Sequence, residues 1–193
     1  MKIFIIVGMP AAGKSVAQEY ALTEGYLHFA TGDIVRAEVK ARGLEPGPQS
    51  IAKVSDELRG SDGMGVTRIA LKKALDHTGN VVILEGMRSW PEIELIRSKA
   101  EVVVVAFLAP KPLRRKRIIS RGRADDSDQA FDDRDLREIK YGVGVPIALA
   151  DAYVLNTSTM EAAIEDFHEI VLAHTGAGNK TPCKGHHQSS KQE

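Results

Sequence analysis

At 193 residues, with 43% hydrophobic and 27% charged positions, the chain is long enough for one soluble globular domain with a substantial core. Lysine plus arginine and aspartate plus glutamate balance at 26 each, which excludes a global field that would draw in nucleic acid or an anionic membrane. The single cysteine, Cys183, excludes an intrachain disulfide and argues against a zinc cluster, so a reducing, cytoplasmic setting is expected.

The apolar run Ile3 to Val7 predicts a first strand, and it is too short for a signal peptide or a membrane span. Directly after it stands Gly8-Met9-Pro10-Ala11-Ala12-Gly13-Lys14-Ser15, which satisfies the phosphate-loop pattern G-x-x-x-x-G-K-[ST]. Glycines at both ends let the backbone curl so that successive N–H groups point at a β-phosphate. Lys14 can reach the β and γ oxygens, and the Ser15 hydroxyl can ligate Mg²⁺. Lys14 to Thr23, ending at Gly25, predicts a helix whose N-terminus faces those phosphates. Strand, loop and helix together are the setting the motif requires, and they make a nucleoside triphosphate with Mg²⁺ the expected ligand.

A weaker strand at Tyr26 to Phe29 leads into Thr31-Gly32-Asp33-Ile34-Val35-Arg36, with Thr31 and Asp33 at a helix start and Arg36 in its first turn. An arginine fork reads phosphate bidentately and a helix N-terminus favours an anion, although Thr31 or Asp33 could equally serve as a plain N-cap. Helices are predicted at Ile34 to Ala41, Ile51 to Leu58 and Val66 to His77. The strand Val81 to Leu84 then delivers Glu85-Gly86-Met87-Arg88. A carboxylate at that strand end is where a phosphate-loop fold holds Mg²⁺ through water, so Glu85 is a candidate for the metal shell. Ser89 with Glu92 forms an S-x-x-E capping box before the helix Pro91 to Lys99.

A strand over Val102 to Phe107 precedes the basic run Lys111 to Arg123, in which Leu113 to Ser120 reads as helix and Arg114 to Lys116 are expected to face solvent. Arg117, Arg121 and Arg123 follow an R-x-x-x-R-x-R spacing. The last strand, Tyr153 to Leu155, ends at Asn156, and a Ser158/Glu161 capping box precedes the helix Met160 to Ala173. Strands that read as near-continuous apolar runs separated by helices imply a parallel sheet covered on both faces. From residue 175 the chain turns polar without periodicity, so a disordered tail is expected, and its His186 and His187 read as non-specific.

These motifs resemble adenylate kinase and its relatives over about residues 1 to 174. In that family a T-G-D-x-x-R segment opens the acceptor-nucleotide site, which gives Thr31 contact with the acceptor and Arg36 its phosphate. Glu85 to Arg88 resembles the D-G-[FI]-x-R turn of nucleoside monophosphate kinases, with Glu85 in place of the usual Asp and Arg88 one position earlier. The basic run resembles the kinase lid. Arg121 and Arg123 would close over the triphosphate as catalytic charges, with Arg134 and Arg137 as the far arm. Ala150 to Ser158 resembles the A-D-x-V-I-x-N segment of dephospho-CoA kinases, which would bring Asn156 and Thr157 near the adenine. The whole pattern is most similar to an archaeal set of P-loop proteins related to adenylate kinase.

The resemblance implies a P-loop NTPase fold, a three-layer α/β/α arrangement on a five-stranded parallel sheet. Acceptor-binding helices would lie at about 33–78 and a small helical lid at about 111–137. It implies a phosphotransferase that moves the γ-phosphoryl group of ATP to a nucleoside monophosphate or a dephospho-CoA-like acceptor. Asp33 would be the base for a hydroxyl acceptor or a further metal-shell residue. The alternative left open by the sequence is an ATP-binding regulatory or assembly ATPase without an acceptor. The partners expected are a nucleotide and a small-molecule acceptor, with neither membrane nor nucleic acid.

Overall fold

The computed structural model describes residues 1–121 and 127–176. Its centre is an all-parallel sheet of β1 (Lys2–Val7), β2 (Leu27–Ala30), β3 (Val81–Glu85), β4 (Glu101–Leu108) and β5 (Ala152–Leu155), in the order β2-β3-β1-β4-β5. β1 lies centrally because its residues are apolar on both faces. Phe4 and Ile6 pack on one side with Val16, Tyr20, Phe107 and Phe167, while Ile3, Ile5 and Val7 pack on the other with Leu71, Ile93 and Ile96. The first layer is carried by α1 (Ser15–Glu24) and α9 (Met160–Thr175). The second is carried by α4 (Gly65–Leu75) and α5 (Trp90–Arg97). This is the three-layer P-loop kinase-like fold that the motifs imply.

A third, small core belongs to the arm built from α2 (Thr31–Ala41), α3 (Pro48–Arg59) and the start of α4, where Val35, Val39, Val54 and Val66 are buried together. α2 begins at Thr31, three residues before its expected start. The Asp33 carboxylate accepts the Ala30 N–H at 3.0 Å and so completes the first turn directly off β2. The Ser89/Glu92 capping box forms as expected, with Glu92 Oε2 accepting from the Ser89 N–H at 2.9 Å and its hydroxyl at 3.0 Å. At α9 the cap is Thr159 rather than Ser158. Its hydroxyl accepts the Ala162 N–H, so the helix starts one residue later than a Ser158/Glu161 box requires.

Besides the expected helix after β4, α6 (Lys111–Arg121), that region holds two, α7 (Asp128–Lys140) and the short α8 (Gly144–Ala148), that the apolar pattern does not predict. α7 is capped by the Ser127 hydroxyl. α7 reads as almost wholly polar because its helical state rests on charge pairing with α6. Arg115 donates to Asp132 at 2.8 Å and Lys111 pairs with Asp132 at 2.7 Å. Phe131, fully buried, takes the guanidinium of Arg114 at 5.3 Å and that of Arg115 at 5.2 Å over its ring. Among the described residues no helix is long and apolar enough to cross a membrane.

Candidate active site

The loop Gly8 to Ser15, Thr31 with Arg36, Glu85 with Arg88, and Asn156 all lie at or just after the carboxyl end of a strand, which places these groups along one edge of the sheet. The loop Gly8 to Lys14 connects β1 to α1. Gly13 adopts φ +99°, and a Cβ there would stand 1.7 Å from Asn156 Nδ2, so only glycine lets the loop pass under that side chain. Ala11 also has positive φ, at 60°. Lys14 is partly buried and curls back so that Nζ donates to the carbonyls of Gly8 at 2.9 Å and Met9 at 3.3 Å. Desolvation by the surrounding loop holds its pKa below the ordinary 10.5, against the pull of the Glu85 and Glu138 carboxylates. A partly buried ammonium bonded only to two carbonyls, inside a loop of curled backbone, fits a polyphosphate.

The outer side of this loop is braced. Arg114 donates Nη1 to the Pro10 carbonyl at 3.0 Å, and Arg117 reaches the Ala11 carbonyl at 3.3 Å. Arg117 Nη2 also donates to the backbone and side-chain oxygens of Asn156, each at 3.0 Å. Asn156 is buried and donates Nδ2 to the Ala12 carbonyl at 3.1 Å. The Asn156 side chain is therefore engaged at both polar ends, Nδ2 by the loop and Oδ1 by Arg117. Thr157 lines a largely apolar hollow of about 270 Å³ with Met9, Phe107, Leu108, Pro110 and Leu155.

The expectation that Arg114 faces solvent is corrected. It is 6% exposed, and its two η nitrogens grip Asp135 at 2.7 and 2.6 Å. Burying a guanidinium requires a paired carboxylate, and α7 supplies it from 21 residues away. Lys116 is exposed as expected, and Arg115 is half-exposed against Asp132. The Arg121 side chain and Arg123 lie outside the described residues. Arg134 is half-buried and Arg137 exposed on α7.

Across from the loop, a cleft of about 370 Å³ opens between the α2–α4 arm and the ends of β2 and β3. Thr31, Arg36 and Arg88 all line it, together with Arg59 and Tyr141. Gly86 has φ +103°, and a Cβ there would stand 2.1 Å from Thr31 Oγ1, so glycine allows the two strand ends to meet. Asp33 accepts Arg36 Nη2 at 2.5 Å with one oxygen and the Ala30 N–H with the other. Burial pushes its carboxyl up, and those two partners outweigh that and hold it below its ordinary value. With both oxygens engaged, its visible work is to cap α2 and aim Arg36.

Arg88 donates Nε to Glu138 at 2.8 Å. Glu138 was not foreseen, since nothing local in α7 signals a partner 50 residues upstream. One oxygen of Glu85, Oε1, accepts from His28 Nε2 at 2.9 Å. Its carboxylate and the Ser15 hydroxyl are hard oxygen donors of the kind Mg²⁺ takes.

A family described as an AAA domain matches residues 7–132. A UPF0200 protein of Methanothrix thermoacetophila is 37% identical over 167 residues, covering 83% of this chain and 91% of that one. One from Thermococcus onnurineus is 36% identical over 182 residues, covering 89% and 98%. Among solved structures, TT1252 from Thermus thermophilus superposes with a TM-score of 0.66 at 15% identity, over 89% of this chain and 96% of that one. The shikimate kinase of Acinetobacter baumannii, solved with shikimate, gives 0.56 at 12% identity, over 93% and 95%. Those two likenesses concern fold, whereas identity sustained along nearly the whole chain establishes kinship: this protein belongs to the UPF0200 family, on a P-loop kinase-like AAA domain.

Proposed function

We propose that this protein is an ATP-dependent phosphotransferase that carries the γ-phosphoryl group to a nucleotide-like acceptor seated in the arginine-lined cleft. The observation that supports it is the pairing of two sites on one sheet edge: a polyphosphate loop with Lys14, and opposite it a cleft with Arg36 and Arg88. A bare ATPase has no need of the second. In the reaction the loop N–H groups and Lys14 hold the donor phosphates, and Arg88 and Arg36 hold the acceptor in line with them. Phosphoryl transfer asks the protein mainly for position and positive charge. Ser15 and Glu85 would hold Mg²⁺, which when bound neutralises charge on the β and γ oxygens. Asp33 fixes the direction of Arg36, and Arg114, Arg117 and Asn156 keep the loop in its curled form. The apolar hollow beside Thr157 takes the adenine.

The test is a phosphoryl-transfer screen with γ-labelled ATP against nucleoside monophosphates, dephospho-CoA and small alcohols. Label is expected to appear on an acceptor, and Arg36→Ala or Arg88→Ala should depress acceptor use far more than ATP affinity. Acceptor-independent hydrolysis, unaffected by either substitution, would overturn this reading in favour of a regulatory or assembly ATPase.

A further inference from the structure

The acceptor cleft holds three guanidinium groups, and they are not equivalent. Arg36 pairs with Asp33 at 2.5 Å and Arg88 with Glu138 at 2.8 Å. Arg59, half-buried at the end of α3, has no carboxylate partner among the described residues. Its guanidinium instead lies over the Tyr141 ring, 5.5 Å from the centroid. The same ring carries Arg88 at 5.3 Å, so the two cations stand no farther apart than the sum of those distances. Of the carboxylates within three positions of it, Glu57 pairs with Arg42, Asp62 with Arg68 and the Met64 N–H, and Asp56, exposed on the same helix, makes no ion pair with Arg59. Glu92, which also lines the cleft, is consumed by the N–H groups of Arg88 and Ser89 and by the hydroxyls of Ser89 and Thr67.

A partly desolvated guanidinium is costly without an anion, and a ring face supplies only a fraction of what a carboxylate would. Two like charges sharing one ring repel, and an anion on each would relieve that. We propose that Arg59 and Tyr141 form a second anion subsite in the acceptor cleft, so that the acceptor carries two anionic groups. One is gripped by Arg36 and Arg88 and the other by Arg59. This rests on the acceptor reading of the cleft and narrows it: a compound with a single phosphate fills only part of the site. A bis-anionic acceptor, such as one with a pyrophosphate or two separate phosphates, satisfies all three cations. Tyr141 is a positioning residue whose ring both guanidiniums meet.

The experiment compares propyl phosphate with the bisphosphate of 1,3-propanediol by calorimetric titration of the full chain without ATP. The wild type is expected to prefer the bisphosphate by about tenfold or more, the worth of one charge-assisted contact. Arg59→Gln should reduce that preference to within about twofold by weakening the bisphosphate far more than propyl phosphate. Arg59→Lys, with its charge kept, should retain part of it, and melting curves confirm that both variants are folded. Equal binding of the two probes by the wild type would overturn the proposal. So would a preference that survives Arg59→Gln, or lysine and glutamine variants that behave alike. Failure of the acceptor reading itself is separate: it shows as acceptor-independent ATP hydrolysis, which these titrations do not touch.

Discussion

Arg114 and Asp135 form a bidentate pair, 7% and 8% exposed, and the same guanidinium leans on the Pro10 carbonyl of the phosphate loop. One turn further along α7, Glu138 holds Arg88 in the arginine-lined cleft. A single helix therefore touches the machinery of both sites through carboxylates three residues apart, which share a helical face. The α6–α7 pair braces the loop.

Breaking that pair leaves a buried charge alone. Arg114→Ala is expected to cost about 3–5 kcal/mol of folding stability, whereas exposed pairs such as Lys72–Asp76 contribute about 0–1 kcal/mol. Replacing both partners together, as Arg114→Met with Asp135→Leu, should recover most of the loss. Urea unfolding measures both. A loss below about 1 kcal/mol for Arg114→Ala would mean that solvent reaches the pair and that the brace is dispensable.

Much of the site is legible in the sequence because its residues act through local backbone geometry. The loop from Gly8 to Ser15, Thr31 with Arg36, and Glu85 with Arg88 each sit within a few positions of an apolar strand end, so spacing alone places them. Arg114, Glu138 and Arg59 are illegible for the opposite reason. Their meaning comes from partners 21, 50 and, for the Tyr141 ring over Arg59, some eighty positions away. A run with seven basic residues in thirteen looks solvated until α7 is folded against it. α7 itself, DQAFDDRDLREIK, lacks an apolar stripe because its packing face is one phenylalanine amid acids that meet arginines.

Lys14→Ala should cost about a hundredfold or more in turnover, since it deletes a charge at the transferring phosphate. The melting temperature should hardly move, because Nζ contacts only two loop carbonyls and no core. Steady-state turnover beside a melting curve decides it. Retained turnover in a folded variant would remove Lys14 from the chemistry.

The same lysine is expected to couple nucleotide binding to protons. In the free protein, loop desolvation lowers its pKa from 10.5, so in the window between the lowered value and 10.5 the folded protein has given up a proton that an exposed lysine would keep. Folding stability contributed by this group therefore rises with pH across that window. A polyphosphate favours the charged form and draws the proton back. ATP binding at alkaline pH is expected to take up a proton, visible as a binding enthalpy that varies with the buffer's ionisation enthalpy. Lys14→Arg, which stays charged throughout, should abolish the variation. A buffer-independent enthalpy for the wild type at every alkaline pH would contradict the loop's desolvation of Lys14.

Whether the segment 111–137 closes as a lid is decided by hydrogen exchange on its two helices. Phe131 is fully buried under three cations, Arg114 is locked to Asp135, and Arg115 to Asp132. Opening either helix exposes a buried aromatic ring and separates a buried ion pair. Both losses raise the free energy of local opening toward that of global unfolding. Backbone amides in the middle of α6 and α7 are therefore expected to exchange slowly in the free protein. Adding a bisubstrate nucleotide should change them little, while amides of the phosphate loop slow markedly. Fast exchange along α6 and α7 that slows only with the nucleotide would show instead that the helices themselves close over the site, and that the Arg114–Asp135 pair forms as part of that closure.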